Sequence, residues 1–538
     1  MNGASLLSMS GLDLAIIAAY LIGIVGLGLW AWRKRRTKQA SSAQYFLAGG
    51  SLRWPVIGLA LFSTNISTIH LVSLAQEGYV NGLAYGNFEW MAAFLLIVLA
   101  LFFAPFYIRA RVATLPDFLE KRYSRASRDW LAALSIVSAI FIHIGFSLYT
   151  GAVVLRGLFG IDINTSIIVT ALLTGLYTAV GGLLAVVVTE SVQTIVLILG
   201  SACVLGFGLA RIGGRGALVA AVEPVKLTVL RTAAETPSLP WYAVFLGYPV
   251  IGLWYWCADQ TIVQRVLGAK DERHARLGPL FAGFIKILPV FLFVLPGLIA
   301  YGLVRQGALP VPENSADVYS LLVNNILPVG LKGVVAAALL AALMSTVSGA
   351  LNSIATLFTL DIYKRWRPAA SERRLTLVGR VVTVVGMVVA ILWSPMIAHF
   401  QSLFQGITAV ICYIAPPITA VFIWGVLWRK ASAAAAQATL TAGSARGLAV
   451  FFLDWFKETT GWNVPSMMAT FYLFLVCSAV LVAVSLLCPH VHTAESEKLV
   501  WGRPADALKG AWGPGVLDYR LVALVLFLVM AGLYAAFG

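Results

Sequence analysis

Residues 63–68 read Ser-Thr-Asn-Ile-Ser-Thr and lie in the middle of an apolar block that runs from 54 to 76. A helix crossing hydrocarbon has to satisfy its own backbone, and loosened polar turns at mid-depth are tolerated only against protein or a water-filled cavity. The run predicts a helix unwound at its centre. A second interruption falls in the block 240–262, where Pro249 and Gly252 stand just ahead of Trp254-Tyr255-Trp256. These are the second and seventh apolar blocks. A spacing of five is the arrangement of two inverted five-helix repeats whose first helices both unwind around a midplane substrate site. Serine and threonine also bond back to their own helix carbonyls, so periodicity alone leaves that reading open.

Outward from this stretch the composition agrees. Of 538 residues, 60% are hydrophobic and 11% charged, against about 25% charged in an ordinary soluble domain. The apolar residues recur in blocks of about 20, the length that crosses a bilayer. Blocks near 12–32, 54–76, 89–109, 130–157, 164–182, 187–210, 240–262, 276–303, 332–360, 376–397, 400–427, 432–453, 465–487 and 519–537 give about fourteen spans in one integral membrane domain, 1–538. The weakest of these is 187–210, whose start is interrupted by Thr189-Glu190-Ser191.

The formal charge of +15 comes from basic residues set in short links, such as Arg33-Lys34-Arg35-Arg36, Lys364-Arg365 and Arg373-Arg374. That placement marks cytoplasmic loops rather than a nucleic-acid surface, and an even span count then puts both termini outside. The five cysteines stand singly, with no metal-ligand spacing. Among the histidines, His143, His274, His399, His490 and His492 form no convergent site, and no HExxH or phosphate-cradling glycine loop occurs. No enzyme chemistry is indicated, and no obligatory protein partner. Gly26 and Gly28 before Trp30 read as a close helix contact.

Between Tyr45 and Lys430 the chain carries YFLAGGSLRWP from Tyr45, STNIST from Ser63, FEWM from Phe88, GGLLAVVVTESVQT from Gly181, YWCADQTIVQRVLGAK from Tyr255, LPGLIAYG from Leu295, MSTVSGALNSIATLFTLDIYK from Met344, and FQGIT from Phe404 followed by APP at Ala415. In that order these segments resemble the sodium/solute symporter family and, within it, the sodium/glucose cotransporter branch. The resemblance implies an all-α polytopic membrane protein with a LeuT-like inverted-repeat core over 54–427. An extra N-terminal helix and cytoplasmic link (12–53) would precede it, and three C-terminal helices (428–538) would follow. It implies sodium-coupled symport of a monosaccharide across the cell's inner (plasma) membrane, with myo-inositol or a sugar acid as alternatives.

The resemblance also assigns positions. The carbonyls of Ser63, Ile66 and Ala342, with the hydroxyls of Ser345 and Thr346, would hold the coupling Na+. A possible second sodium would lie near Glu190, Ser345 and Ser348, although relatives often carry Asp at the first of these. Asn65, His70, Glu89, Lys286 and Gln405 would bind sugar hydroxyls, and Tyr255 would supply a platform and inner gate. A hexose needs such two-way hydrogen-bonding groups beside an aromatic face. Leu74 and Phe88 retain the apolar part of an outer gate. Departures are Gln401, where an aromatic gate residue is frequent, and Gly252 and Ala92, where some sugar carriers are polar.

Overall fold

The helix breaks where the polar run lies. In a computed structural model describing residues 10–35, 41–399, 403–489, 492–509 and 517–538, the second block divides into helices Trp54–Asn65 and Thr68–Asn81. Ile66 (φ −79°, ψ 110°) and Ser67 (φ −102°, ψ 173°) are extended between them. Pro55 falls in the first turn of the first half, where a missing N–H leaves no hydrogen bond unmade.

The seventh block breaks later than Pro249 and Gly252 suggest. Helix Tyr248–Leu253 carries both of them, Pro249 again in the first turn, and passes into a π turn at Trp254–Ala258. The break itself is at Asp259. Its carboxylate accepts from the amides of Thr261 (2.7 Å) and Ile262 (3.3 Å) and so starts helix Gln260–Leu267. An isolated parallel bridge pairs Leu52 with Ala269. It joins the chain entering the first broken helix to the chain leaving the second.

The remaining architecture is helical, and among the described residues ten helices are long and apolar enough to cross a membrane. The expected spans 164–182 and 187–210 are joined in one helix, Ile163–Ile212, bent at Gly182 (φ 59°, ψ −158°). A Cβ at Gly182 would lie 2.4 Å from the Tyr45 carbonyl oxygen, so both conformation and space require glycine. Thr189 and Ser191 do not interrupt the helix, because their hydroxyls bond carbonyls one turn back.

Burial separates the centre from the rim. In Leu331–Trp366 94% of the most apolar window is buried, against 17% in Tyr519–Phe537 and in Gly11–Arg33. The rim helices present residues such as Leu528 and Leu14 outward, as lipid-facing surfaces do. Inside, backbones meet at small residues. A Cβ on Gly78 would lie 2.0 Å from the Val294 carbonyl oxygen, and one on Gly297 1.8 Å from that of Ala75. Gly28 makes the close contact expected of it, with Tyr177, while Gly26 has open space.

The first helix also caps the buried one. Asp13, fully buried, accepts from the amides of Gly330 (2.8 Å) and Gly333 (2.7 Å). The N-terminus of Leu331–Leu357 thus takes its cap from another helix, where both hydrogen bonding and the helix dipole favour a carboxylate.

Candidate functional site

Leu331–Leu357 passes directly behind the break in the second block. The Ser345 hydroxyl lies 2.7 Å from the Ser63 carbonyl and 3.0 Å from that of Ala342. The Thr346 hydroxyl lies 3.3 Å from the Thr64 carbonyl and 3.2 Å from that of Ala342. Three carbonyl and two hydroxyl oxygens therefore converge from two helices, all on buried residues. That donor set suits a small hard cation stripped of water. Ile66 is the extended residue that ends the first half-helix, and the carbonyl that meets Thr346 belongs to Thr64. In the sequence Thr64 is one more member of the polar run.

Glu190 is fully buried, and its carboxylate is already paired. Arg265, equally buried, approaches it at 2.5 Å through Nη2 and 3.2 Å through Nε, and the Thr64 hydroxyl donates to it at 2.9 Å. The guanidinium passes Gly349, where a Cβ would lie 2.6 Å from Nη2. Ser348 bonds the Ser345 carbonyl of its own helix at 3.0 Å. The carboxylate expected near a second sodium is thus neutralised from within the chain. Arg265 lies in the amphipathic helix Gln260–Leu267, all of whose residues are buried, where a guanidinium is costly without a partner.

A cavity of about 170 Å³ opens beside the break. Of the residues expected around a solute, Asn65, His70, Leu74, Phe88, Glu89, Tyr255 and Lys286 line it. The Lys286 ammonium donates to Asn65 Oδ1 at 2.5 Å and pairs with Glu89, and the Asn65 amide reaches the Tyr255 hydroxyl at 3.1 Å. Lys286 and Glu89 are both nearly inaccessible, so each neutralises a charge that would be prohibitive alone. His70 Nδ1 accepts from the Ser67 amide at 3.2 Å. In the neutral ring the proton then sits on Nε2, which is left as a donor.

The rest of the wall is apolar or aromatic, including Ile69, Tyr248, Ile251, Trp256 and Ile411. Trp256 stands in the aromatic run beside the second interruption, whereas nothing in their local sequence marks Ile69, Tyr248, Ile251 and Ile411 as pocket residues, because they read as ordinary span residues. Tyr248 holds the Phe88 carbonyl at 2.6 Å, and the two rings meet edge to face. Gln401 lies outside the described residues. Gln405 belongs to helix Leu403–Leu427, but its side chain is outside the description too. His143 is placed 3.4 Å from Asp259, a pairing that the sequence did not suggest.

A broken helix faced by paired hydroxyls, with a neutralised polar cluster beside it, is the setting in which similarity to known proteins becomes decisive. The model of the family described as "SSF: Sodium:solute symporter family" matches residues 45–443. The chain belongs to that family. Among relatives of this symporter, sodium/glucose cotransporter 1 of Ovis aries is 33% identical, over 91% of this chain and 80% of that one. Sodium/glucose cotransporter 2 of Rattus norvegicus is 36% identical (84% and 73%), and sodium/myo-inositol cotransporter 2 of Homo sapiens 34% (82% and 70%). The fold matches that of a Na+-coupled sialic acid symporter in a substrate-bound outward-open state. The TM-score is 0.78 at 20% identity, covering 90% of this chain and all of that one. A nucleobase-cation-symport-1 family transporter gives 0.51 at 15%, covering 86% and 98%. The symporter is accordingly a multi-pass membrane transporter and not an enzyme, with a solute and sodium as its partners and sodium as the coupling ion.

Proposed function

We propose that this symporter carries a neutral polyhydroxylated solute, a glucose- or galactose-type hexose in the first instance, into the cell with sodium. The observation that carries the proposal is the Lys286–Glu89–Asn65 cluster set in an otherwise apolar and aromatic wall. Its charges cancel internally, so the cavity offers hydrogen bonds without selecting a charged cargo, and Tyr255 and Trp256 offer faces to a sugar ring. Glucose and myo-inositol cotransporters among the relatives support the same class. Myo-inositol is the second reading, and Gly252 in place of a polar group favours keeping it.

In this reading fourteen helices span the inner (plasma) membrane with both termini outside, a LeuT-like ten-helix core fills 54–427, and 12–53 and 428–538 flank it. Sodium binds first, among the oxygens of Ser63, Thr64 or Ile66, Ala342, Ser345 and Thr346, and so fixes the unwound segment that also bears Asn65 and leads into His70. Solute then meets a preorganised pocket, and Leu74 and Phe88 on one side exchange closure with Tyr255 on the other. Gln401 and Gln405 take the outer-gate and solute positions. One sodium crossing ~100 mV releases ~2.3 kcal/mol, and a tenfold gradient adds ~1.4 kcal/mol. Together these support accumulation of a neutral solute by roughly several hundredfold. Uptake of labelled glucose, galactose, mannose and myo-inositol into proteoliposomes, with and without an inward sodium gradient, tests the proposal. No sodium-stimulated entry of any of the four would overturn it.

A further inference from the structure

Helix Asn87–Val98 brings Phe88 and Glu89 to the central cavity in its first turn. Gly86, at its N-terminus, offers no side-chain cap, so the turn has to be held from elsewhere. Asn87 supplies the hold. Its side chain is buried, and its amide donates to the carbonyls of Ala84 (2.8 Å) and Val229 (2.6 Å) while its Oδ1 accepts from the Tyr534 hydroxyl (2.9 Å). The Val229 amide in turn donates to the Phe537 carbonyl at 2.7 Å. The first turn is thus tied twice to the end of the C-terminal helix, Tyr519–Phe537.

The same helix reaches the other side of the polar cluster. Trp90, fully buried one turn after Asn87, meets the rings of Tyr534 and Phe537, each at 5.7 Å, and donates its indole N–H to the Ile287 carbonyl at 3.2 Å. Ile287 follows Lys286 directly. One turn before Lys286, a Cβ on Gly283 would lie 2.5 Å from Leu526, so the C-terminal helix packs closely on the helix that leads to the lysine. Its buried stripe is Ala523, Leu526, Met530 and Tyr534, of which only Tyr534 carries a hydroxyl. Among the described residues none of this helix lines the cavity.

We infer that Tyr534 and Asn87 are positioning residues for the central solute site, through which the C-terminal helix sets Phe88 over the cavity and Glu89 against Lys286; the inference rests on the function proposed above. A buried phenol needs an acceptor somewhere, and here the acceptor is the residue that precedes both pocket side chains. A buried ion pair offsets its desolvation only in good geometry, and groups that bind a ligand are held to within about 0.5 Å by the hydrogen bonds behind them. Loosening the first turn therefore acts on the solute site, while the sodium oxygens, which lie on other helices, keep their places.

Uptake by full-length protein in proteoliposomes tests this. Tyr534→Phe keeps the ring against Trp90 and removes only the hydroxyl. With labelled glucose, galactose, mannose and myo-inositol, it should raise the half-saturating concentration of those that enter roughly fivefold, the ratio for ~1 kcal/mol. The maximal rate should change less, and sodium affinity, read without sugar from the rise in thermal midpoint, should not change. Asn87→Ala should have at least as large an effect, and adding Tyr534→Phe to it should do nothing further, because both remove the same hydrogen bond. A lowered thermal midpoint with an unchanged half-saturating sugar concentration, or effects of the two substitutions that multiply, would overturn the inference while sodium-driven uptake stands. Wild-type protein that takes up none of the four sugars on a sodium gradient overturns the functional reading, and this inference with it.

Discussion

Replacing Arg265 by methionine isolates the most deeply buried charge pair among the described residues. Glu190 and Arg265 are both fully inaccessible, joined at 2.5 and 3.2 Å. Without the guanidinium the carboxylate keeps only the Thr64 hydroxyl. Breaking a buried pair by removing one partner costs about 3–5 kcal/mol, whereas removing both can be nearly neutral. Arg265→Met combined with Glu190→Gln should therefore recover most of the loss, since an amide oxygen still accepts from Thr64. A kcal/mol shifts the thermal midpoint by about 2–4 °C in chains of 150–250 residues and by less in longer ones. The single variant should fall several degrees below wild type in detergent, and the double variant should lie close to it. Because Thr64 bonds both Glu190 and Thr346, the single variant should also bind sodium more weakly. Equal midpoints for the single and double variants would refute the reasoning, since they would mean that the pair is solvated or open in the working protein.

Ser345→Ala with Thr346→Ala removes both hydroxyls facing the broken helix; at about 1.5–3 kcal/mol for each charge-assisted contact, sodium stimulation of uptake should vanish while insertion and monodispersity by size exclusion are kept. Gly297→Ala sets a Cβ 1.8 Å from the Ala75 carbonyl oxygen and should destabilise by about 1–3 kcal/mol or more, whereas Gly26→Ala, with open space around it, should leave the thermal midpoint unchanged or higher. Asp13→Ala uncaps Leu331–Leu357 and should lower the midpoint by an amount equivalent to about 0.5–2 kcal/mol, with Asp13→Asn recovering much of it. At the basic end, burial raises the Glu120 carboxyl, but bonds and charges from Arg128 and Arg365 outweigh this and hold it below its ordinary 4.5. A carboxyl depressed in the folded state contributes stability above its unfolded value and loses it as pH falls through the folded one. Midpoints should thus drop on acidification below about pH 4.5, and Glu120→Gln should show less of that drop.

Much of this was legible in the order of residues. A polar run inside an apolar block either bonds back to its own helix, as Thr189 and Ser191 do, or marks a break against protein or a wet cavity, as residues 63–68 do. Five of the six residues 63–68 are polar, and that density pointed to the unwound segment; the family resemblance pointed to Ser345 and Thr346, which the structure places against the carbonyls of Ser63 and Thr64. Helix limits at the C-terminal end, 519–537 and 465–487, were set by hydropathy to within a residue. The second break was misplaced toward Pro249, because proline in a first turn is harmless while a capping aspartate starts a new helix. That distinction depends on where the turn begins.

What the chain alone determined is that it spans a membrane many times, that one of its helices breaks at mid-depth, and which residue types stand at the break. These follow from local solvation, which each block meets by itself. Only the tertiary structure decided that Arg265 answers Glu190, that Asp13 caps a helix more than three hundred residues away, and that Lys286, besides Glu89, reaches Asn65. A buried charge requires a partner, but hydropathy carries no information about which of several distant helices will supply it.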